Sequence, residues 1–213
     1  MSNPIHPRPS DLVHQTWIQQ EKIVFTQKNI VDLGCGTGFI CDYAVNQGGA
    51  RQALGIDIIA PPNYRDDCKW IYKNFNLEKQ GWSKNSVEVL GGEKADLILA
   101  FDILEHLTSP WEFLEECNNL LNQSGKLVLT TPNVNSWERF LKPDDWSGSL
   151  DPQHKILFTK YSLQFALEKQ GFSVETIKAP VRKLQALSSI LPDIGGQLFT
   201  LNTKKVDSES RQS

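Results

Sequence analysis

Three glycines and one aspartate have the types and spacing to bind a nucleoside. Gly34, Gly36 and Gly38 follow an apolar run that ends at Leu33, and Asp57 closes a second apolar run further along the chain. Glycine lacks a Cβ, so it permits a sharp strand-to-helix turn and lets a ligand lie against the main chain and the free N–H groups of the next helix. A carboxylate at the tip of the adjacent strand can accept hydrogen bonds from a ribose diol. The pattern therefore predicts a ligand that contains a nucleoside.

The spacing of the glycines narrows the class of ligand. The loop reads G-x-G-x-G with Asp32 two positions before it, whereas dinucleotide-binding turns read G-x-G-x-x-G. A P-loop requires Lys and Ser/Thr after its last glycine, but Phe39 and Ile40 follow here, so no phosphate grip is visible. The stretch 31–38 resembles the first motif of class I S-adenosylmethionine-dependent methyltransferases, whose loop accommodates a zwitterionic methionine tail. The alternative is a tight turn in another doubly wound protein.

Further motifs follow in the order of that family. Residues 96–107 resemble its fourth strand and the "LEHL" turn, 130–133 resemble the "STPN" ending of quinone-precursor and glycan methyltransferases, and 151–159 resemble a "DPxHxxxFT" segment. The matches span 29–178, so the chain is identified as a member of the class I family. The resemblance implies S-adenosylmethionine as cofactor. It also implies an α/β fold, a doubly wound, seven-stranded, mostly parallel sheet with helices on both faces.

The family motif also implies roles for individual residues. Gly34, Gly36 and Gly38 would form the cofactor floor and Asp57 would hold the ribose. By position, the adenine would lie against Asn76 and Leu77, and the methionine moiety near Phe101. Asn76 stands where many relatives have an acidic residue, and its amide oxygen can accept the same hydrogen bond from adenine.

The elements that must position these residues follow from periodicity and end signals. Ser109, Pro110 and Glu112 predict a capping box at one helix start, and Thr159 predicts an N-cap at another. Residues 134–158 match no regular element. The predicted strands are 29–33, 52–57, 69–72, one within 96–107, 126–131 and 172–177; the predicted helices are 11–27, 39–47, 110–122 and 160–170; a helix near 182–190 and an antiparallel strand near 197–203 complete the family plan by resemblance.

Length and composition limit the number of domains and the classes of protein that the chain can represent. With 213 residues, of which 39% are hydrophobic, the chain can form one substantial core. We expect a single domain over 1–205, with a helical leader at 1–28 and a disordered tail at 206–213. The four cysteines form no C-x-x-C pair, which favours a reducing, cytoplasmic setting. We expect neither a signal peptide nor a membrane span, because no apolar run approaches 18 residues.

The charge of the chain indicates which kinds of partner it can bind. The net charge is −3 and no basic block exceeds Lys204-Lys205, so the electrostatic footprint of a nucleic-acid-binding protein is missing. The ending 131–133 also lacks the N/D-P-P-Y/F signature associated with methylation of DNA amino groups. A small uncharged or cationic acceptor fits better. The oligomeric state is not readable from the sequence.

Two histidines are candidates for the catalytic base. The sulfonium is already a strong electrophile, so positioning can supply about 7–11 kcal/mol and a base is needed only for a protonated acceptor. His106, after the fourth strand, suits proton removal near neutrality, and it can equally support the loop or the cofactor. His154 can face the substrate or cap the following helix. His6 and His14 lie in the leader without visible partners, and no metal site is predicted.

The segment 137–146 is predicted to be a substrate lid within 134–158. Trp137 and Trp146 can form an apolar, stacking wall on this long loop, although tryptophans can also simply pack onto a sheet edge. The sequence thus predicts methyl transfer to a small molecule, with oxygen as the favoured acceptor atom. Two alternatives are N- or C-methylation of a similar molecule and a methyltransferase-like, non-catalytic partner subunit.

Overall fold

The strands in the described part of the chain, residues 5–62, 64–65, 67–181 and 193–206 of a computed structural model, all belong to one sheet. Their order across the sheet is 3-2-1-4-5-7-6, and β7 runs antiparallel to both of its neighbours while the other pairs are parallel. The predicted seven-stranded, mostly parallel sheet is confirmed. The strands are β1 (Asn29–Leu33), β2 (Gln52–Asp57), β3 (Ile71–Asn74), β4 (Ala95–Phe101), β5 (Leu121–Pro132), β6 (Phe172–Lys178) and β7 (Gln197–Lys204).

Seven α-helices and two 3-10 turns accompany the strands in the described residues. The 3-10 turns are Leu104–His106 and Pro143–Asp145. The helices are α1 (Pro9–Gln20), α2 (Phe39–Asn46), α3 (Trp82–Val89), α4 (Pro110–Leu120), α5 (Trp137–Leu141), α6 (Ser147–Leu150) and α7 (Lys160–Lys169).

Helices cover both faces of the sheet because successive strand residues point to opposite sides. Ile30 packs in a cluster with Trp17 of α1 and Cys41 of α2, while its neighbour Val31 packs in a second cluster with Phe113 of α4 and Leu163 of α7. Each face of a central strand is therefore buried, which explains why β1 and β4 read as continuous apolar runs.

The leader helix is shorter than predicted. α1 starts at Pro9, where the Asp11 carboxylate accepts from the Arg8 N–H at 2.7 Å, and ends at Gln20 instead of continuing to 27. Lys22 takes the left-handed conformation with φ of 54°, which ends the helix. β3 likewise begins at Ile71, two residues later than predicted.

The signals for the other helix starts gave mixed results. Pro110 occupies the first turn of α4 as predicted, but the predicted capping box is wrong, since Ser109 makes no side-chain cap bond there. The prediction for α7 is confirmed, because Thr159 Oγ1 accepts from the Ser162 N–H at 3.1 Å. Within 134–158 the expectation of no regular element is wrong. Ser136 caps α5 by accepting from the Glu138 N–H at 3.0 Å, and elements of three to five residues are too short to show helical periodicity.

Some predictions fall outside the described residues. These are the helix at 182–190 and all but the first residue of the tail at 206–213. All four cysteines are free thiols. Among the described helices, none has the length and apolar character needed to cross a bilayer.

Candidate active site

A cavity of about 400 Å³ opens at the carboxyl ends of β1, β2 and β4. It lies beside the point where the strand order reverses, between β1 and β4, which is where ligands bind in open α/β sheets. Four residues predicted to hold the cofactor line it together with one of the predicted bases: Gly34, Asp57, Asn76, Leu77 and His106. These residues, predicted from separate motifs, therefore line one cavity. The lining of this cavity does not include Gly36, Gly38, Phe101 or His154.

The Asp57 carboxylate is oriented by backbone amides. The Gly36 N–H donates to its Oδ2 at 2.9 Å, and the Ile59 N–H donates to its Oδ1 at 3.1 Å. Each carboxylate oxygen can accept a second hydrogen bond, so both remain able to receive a hydroxyl. In contrast, Asn76 turns its amide oxygen toward its own chain, where it accepts from the Glu78 N–H at 2.9 Å.

The loop favours glycine for two separate reasons. Gly36 and Gly38 have φ of 52° and 76°, in the left-handed region that other residues enter at a cost. A Cβ on Gly36 would lie 2.5 Å from Arg8 Nη2, and a Cβ on Gly38 would collide with the buried Trp70 ring. The backbone turn therefore favours glycine at both positions, and the close approach of the buried Trp70 ring also requires it at Gly38.

Arg8 is a site residue that the sequence analysis missed. Its guanidinium rests on Gly36 and donates to Asp11 Oδ1 at 3.0 Å, while Asp11 Oδ2 accepts from Thr37 Oγ1 at 3.0 Å. The hydrogen bond to Asp11 raises the pKa of Arg8 above its ordinary value. A cation thus lies on the glycine loop. The available signal was the Arg-Pro-x-Asp order at the helix start, which places Arg8 and Asp11 one turn apart.

Carboxylates surround that cation. Asp32 is buried beneath the loop, where burial, followed by the charge of Asp11, raises its pKa to about 7. The Cys41 thiol donates to Asp32 Oδ2 at 3.8 Å. A loop that presents one guanidinium and several carboxylates suits a ligand that carries both signs of charge.

His14 has a partner, contrary to the expectation for the leader. Its ring stacks on Phe101 with centroids 4.4 Å apart and planes 11° apart. Its Nε2 lies 3.3 Å from Asp102 Oδ2, and Thr130 Oγ1 donates to Asp102 Oδ1 at 2.7 Å. α1 therefore brings His14 to the carboxyl end of β4. Spacing along the sequence could not reveal this pair, since 88 positions separate its members.

Glu105, His106 and His154 form a second cluster. Glu105 accepts from Thr131 Oγ1 at 2.9 Å, and burial, followed by the charge of Asp102, raises its pKa to about 8. The two imidazole centroids lie 4.7 Å apart. One potential ligand atom from each of the three residues lies within 4.8 Å of the others, a set able to contact a divalent cation. The absence of a metal stays a prediction.

His154 does not cap the following helix, because Thr159 does. Its Nδ1 lies 3.2 Å from the Gly148 carbonyl oxygen, so it links the segment 134–158 to the turn after β4, where His106 lies. Of the two alternatives for His154, helix capping is therefore wrong.

Residues 6–177 match a protein family described as a methyltransferase domain. The chain belongs to this family. It is a methyltransferase that uses S-adenosylmethionine as its cofactor.

Relatives and solved structures agree with this assignment. The chain is 24% identical over 195 residues to a ubiquinone biosynthesis O-methyltransferase of Cereibacter sphaeroides, with 75% of each chain covered. In fold it is similar to an S-adenosylmethionine-dependent methyltransferase of Archaeoglobus fulgidus, with a TM-score of 0.67, 17% identity and coverage of 92% and 94%. A putative enzyme of the same kind from Listeria monocytogenes gives a TM-score of 0.63 at 19% identity, covering 91% of this chain and 100% of its own.

The cavity beside Gly34 and Asp57 and the glycine loop with Arg8 together form a cradle. This cradle has the chemical groups that S-adenosylmethionine needs. Asp57 offers oriented acceptors for a diol, and Gly34, with φ of 77°, exposes its backbone to the cavity. Arg8 and the surrounding carboxylates match the opposite charges of an amino acid and the positive charge of a sulfonium. The charged and hydrogen-bonding side chains, and the backbone that the glycines expose, are thus both consistent with S-adenosylmethionine.

The two tryptophans of the predicted lid differ in exposure. Trp137 is 36% exposed, whereas Trp146 is only 3% exposed. The Trp146 ring packs against the backbone of Gly148 and lies 5.9 Å from the Arg139 guanidinium carbon. Two other apolar side chains of α5, Phe140 and Leu141, are 70% exposed. In the methyltransferase, Trp146 therefore holds the segment's own turns together, and α5 presents the apolar surface.

Proposed function

We propose that the methyltransferase transfers the methyl group to a hydroxyl oxygen of a small molecule. The observation that carries this proposal is an imidazole, that of His14, at the carboxyl end of β4, since a hydroxyl, unlike a carboxylate, must lose a proton. Relatives named for ubiquinone biosynthesis O-methylation support oxygen as the acceptor atom. The net charge of −3 supports a small acceptor over nucleic acid.

The cofactor would be held in two halves. In the nucleoside half, Asp57 would hold the ribose, with Asn76 and Leu77 beside the adenine. In the methionine half, Arg8 would hold the carboxylate, and Phe101 would border the chain that leads to the sulfur. When bound, S-adenosylmethionine supplies the electrophilic methyl group. The protein's own residues hold the acceptor in line with it and exclude water.

His106 is better suited to supporting the cofactor than to removing a proton. It lines the same cavity as Asp57 and Asn76, in the nucleoside half. His154 lies on the other side of the His106 ring and is held by the Gly148 carbonyl. We therefore assign to the two histidines the support of the cavity wall, with His154 connecting that wall to 134–158.

The segment 134–158 would cover the acceptor. Its α5 exposes Trp137, Phe140 and Leu141, which can form an apolar wall against a ring or an alkyl chain. The two ends of this segment are tied to each other, where the Val134 N–H donates to the Phe158 carbonyl at 2.9 Å. The same segment lines the cavity through Pro152 and Gln153, and its exposed apolar side chains favour an aromatic or lipid-like alcohol.

Product analysis tests the proposal. The purified chain alone is incubated with methyl-labelled S-adenosylmethionine and either catechol or benzylamine, with and without the chelator EDTA. We expect label in the methyl ether of catechol, no label in benzylamine and no effect of EDTA. Label in benzylamine alone would favour N-methylation. Transfer that appears only after addition of a second polypeptide that itself binds the cofactor would favour the partner-subunit alternative.

A further inference from the structure

The contact between His14 and Asp102 joins the leader helix to the end of β4. His14 Nε2 lies 3.3 Å from Asp102 Oδ2, and the His14 ring covers Phe101. We propose that His14 is the base that takes the proton from the acceptor hydroxyl, with Asp102 as the residue that positions and stabilises its imidazole. This inference rests on the proposed O-methyl transfer.

The course of α1 places His14 at the reacting end of the cradle. Arg8, directly before α1, lies on the glycine loop where the methionine carboxylate is assigned. His14 follows six residues later, about 9 Å along the helix at 1.5 Å per residue. That span is comparable to the reach from a methionine carboxylate to an atom beyond its methyl group. His106, by comparison, lines the opposite half of the cradle with Asp57.

Asp102 is held in a conformation that needs support. Its φ of 51° is in the left-handed region, which residues other than glycine enter at a cost and which is concentrated at functional sites. The buried Thr130 provides the support. Its carbonyl accepts from the Asp102 N–H at 3.2 Å, and its hydroxyl donates to Asp102 Oδ1 at 2.7 Å. The second carboxylate oxygen, Oδ2, is thereby directed at His14.

The 3.3 Å contact between Nε2 and Asp102 Oδ2 determines which imidazole nitrogen can act. In the proposed arrangement the Nε2 proton faces Asp102, so the lone pair on Nδ1 receives the hydroxyl proton. The acceptor O–H bond breaks, an N–H bond forms, and the resulting imidazolium is stabilised by the Asp102 carboxylate. The proton passes to water once the product has left. Among the described residues, the titratable groups on the elements that carry the pair include Asp11 on α1, Arg8 directly before α1, and Glu105 after β4, whose pKa is raised in part by the charge of Asp102.

A purely structural role for the contact makes a different prediction. If it only attaches α1 to the sheet, its loss should weaken cofactor binding and affect all acceptors alike. If His14 is a base, its loss should matter only for acceptors that need one. Catechol and 4-nitrocatechol separate the two cases, because the nitro group lets the hydroxyl ionise near neutral pH without a base.

The experiment uses the full chain with His14→Gln and Asp102→Asn, and with His6→Gln as the control for an exposed leader histidine. Asparagine tolerates the left-handed conformation, so Asp102→Asn keeps the turn and removes only the charge. With catechol, we expect His14→Gln to lower kcat by at least roughly 10²-fold and Asp102→Asn to lower it by a smaller factor. With 4-nitrocatechol, kcat should stay within about threefold of the wild type, as should S-adenosylhomocysteine affinity.

A binding measurement gives a readout independent of turnover. With S-adenosylhomocysteine present and at a pH below the ionisation of free 4-nitrocatechol, the wild type should bind the probe as its coloured phenolate, and His14→Gln should bind it as the phenol. Equal losses with both acceptors, or ionisation of the probe by His14→Gln, would overturn the role of His14 alone. A wild type that neither methylates catechol nor ionises 4-nitrocatechol would contradict the proposed function itself, even if it binds S-adenosylhomocysteine.

Discussion

The two halves of the cradle are built by different means. In the nucleoside half, the Asp57 carboxylate is held by backbone N–H groups, and the walls come from residues directly after strands. In the methionine half, side chains of α1 contact the glycine loop and the turn after β4, as in the pairs Asp11–Thr37 and His14–Asp102. Recognition of the nucleoside thus relies on the sheet itself. The proposed reacting end depends on a leader helix that lies outside the glycine motif.

The halves also differ in the charge that they bury. The methionine half and the turn after β4 bury two carboxyl groups, Asp32 and Glu105, whose pKa values rise to about 7 and about 8. Such groups favour the folded state only while protonated. Side-chain pairs and buried acids can respond to pH and to a ligand, whereas the backbone-held Asp57 presents a fixed acceptor.

The largest expected effect concerns the floor that both halves share. We expect Gly38→Ala to destabilise the protein by about 1–3 kcal/mol more than Gly91→Ala, because its Cβ would overpack the buried Trp70 ring. Gly91→Ala is a matched control, since its φ of 73° is close to the 76° of Gly38 while nothing lies within 4 Å of its Cβ. Urea unfolding measures both variants. Equal losses would show that Trp70 does not limit the loop.

The next effect tests the buried acid between the halves. Glu105 is protonated in the folded state up to about pH 8 and has an ordinary pKa of 4.5. The folded state therefore holds more protons than the unfolded state across pH 5–8, and stability falls as pH rises. We expect Glu105→Gln to remove a decline of up to about 1.4 kcal/mol per pH unit from the unfolding free energy.

Urea unfolding at several pH values gives this slope. The amide of Glu105→Gln can still accept from Thr131, and Glu88→Gln, an exposed acid on α3, controls for the loss of one charge. An unchanged slope in Glu105→Gln would mean that Glu105 is ionised in the folded protein at neutral pH.

The smallest effect concerns the proposed lid. We expect Trp137→Ala to raise the KM for catechol by about 2–10-fold, as loss of one aromatic contact allows, with little change in S-adenosylhomocysteine affinity. Trp111→Ala, another exposed tryptophan, on α4, is the control. Equal KM values for the two variants would show that the acceptor does not contact α5.

The comparison explains what could be predicted from the sequence. The carboxyl ends of the strands and the glycine loop were accessible because apolar runs, glycine spacing and Asp57 are local signals, whereas β5 begins at Leu121, five residues before its predicted start. The sheet order follows the family plan. The end of α1 and the capping of α4 were predicted wrongly because a left-handed residue at Lys22 and an unused cap at Ser109 depend on surroundings that the local pattern does not contain.

The methionine half was harder to predict for a physical reason. Arg8 and His14 acquire their roles only when α1 packs across the ends of β1 and β4, and no spacing rule links His14 to Asp102. Trp146 illustrates the same point. As a tryptophan on a long loop it was predicted to contact a ligand, but it is buried against Gly148. That packing depends on short turns that leave no periodic pattern in the sequence.

The most direct test of the two-half cradle compares two ligands by titration calorimetry. S-adenosylhomocysteine has a nucleoside part and an amino-acid part, so it occupies both halves of the cradle. 5′-Methylthioadenosine has the nucleoside part but lacks the amino acid. We expect Arg8→Gln to lower the affinity for S-adenosylhomocysteine by roughly 10-fold or more, because a hydrogen bond to a charged group is lost. The affinity for 5′-methylthioadenosine should stay within about twofold of the wild-type value. Asp57→Asn should weaken both ligands by similar factors. Equal weakening of both ligands by Arg8→Gln, or an effect of Asp57→Asn on S-adenosylhomocysteine alone, would contradict this division of the site.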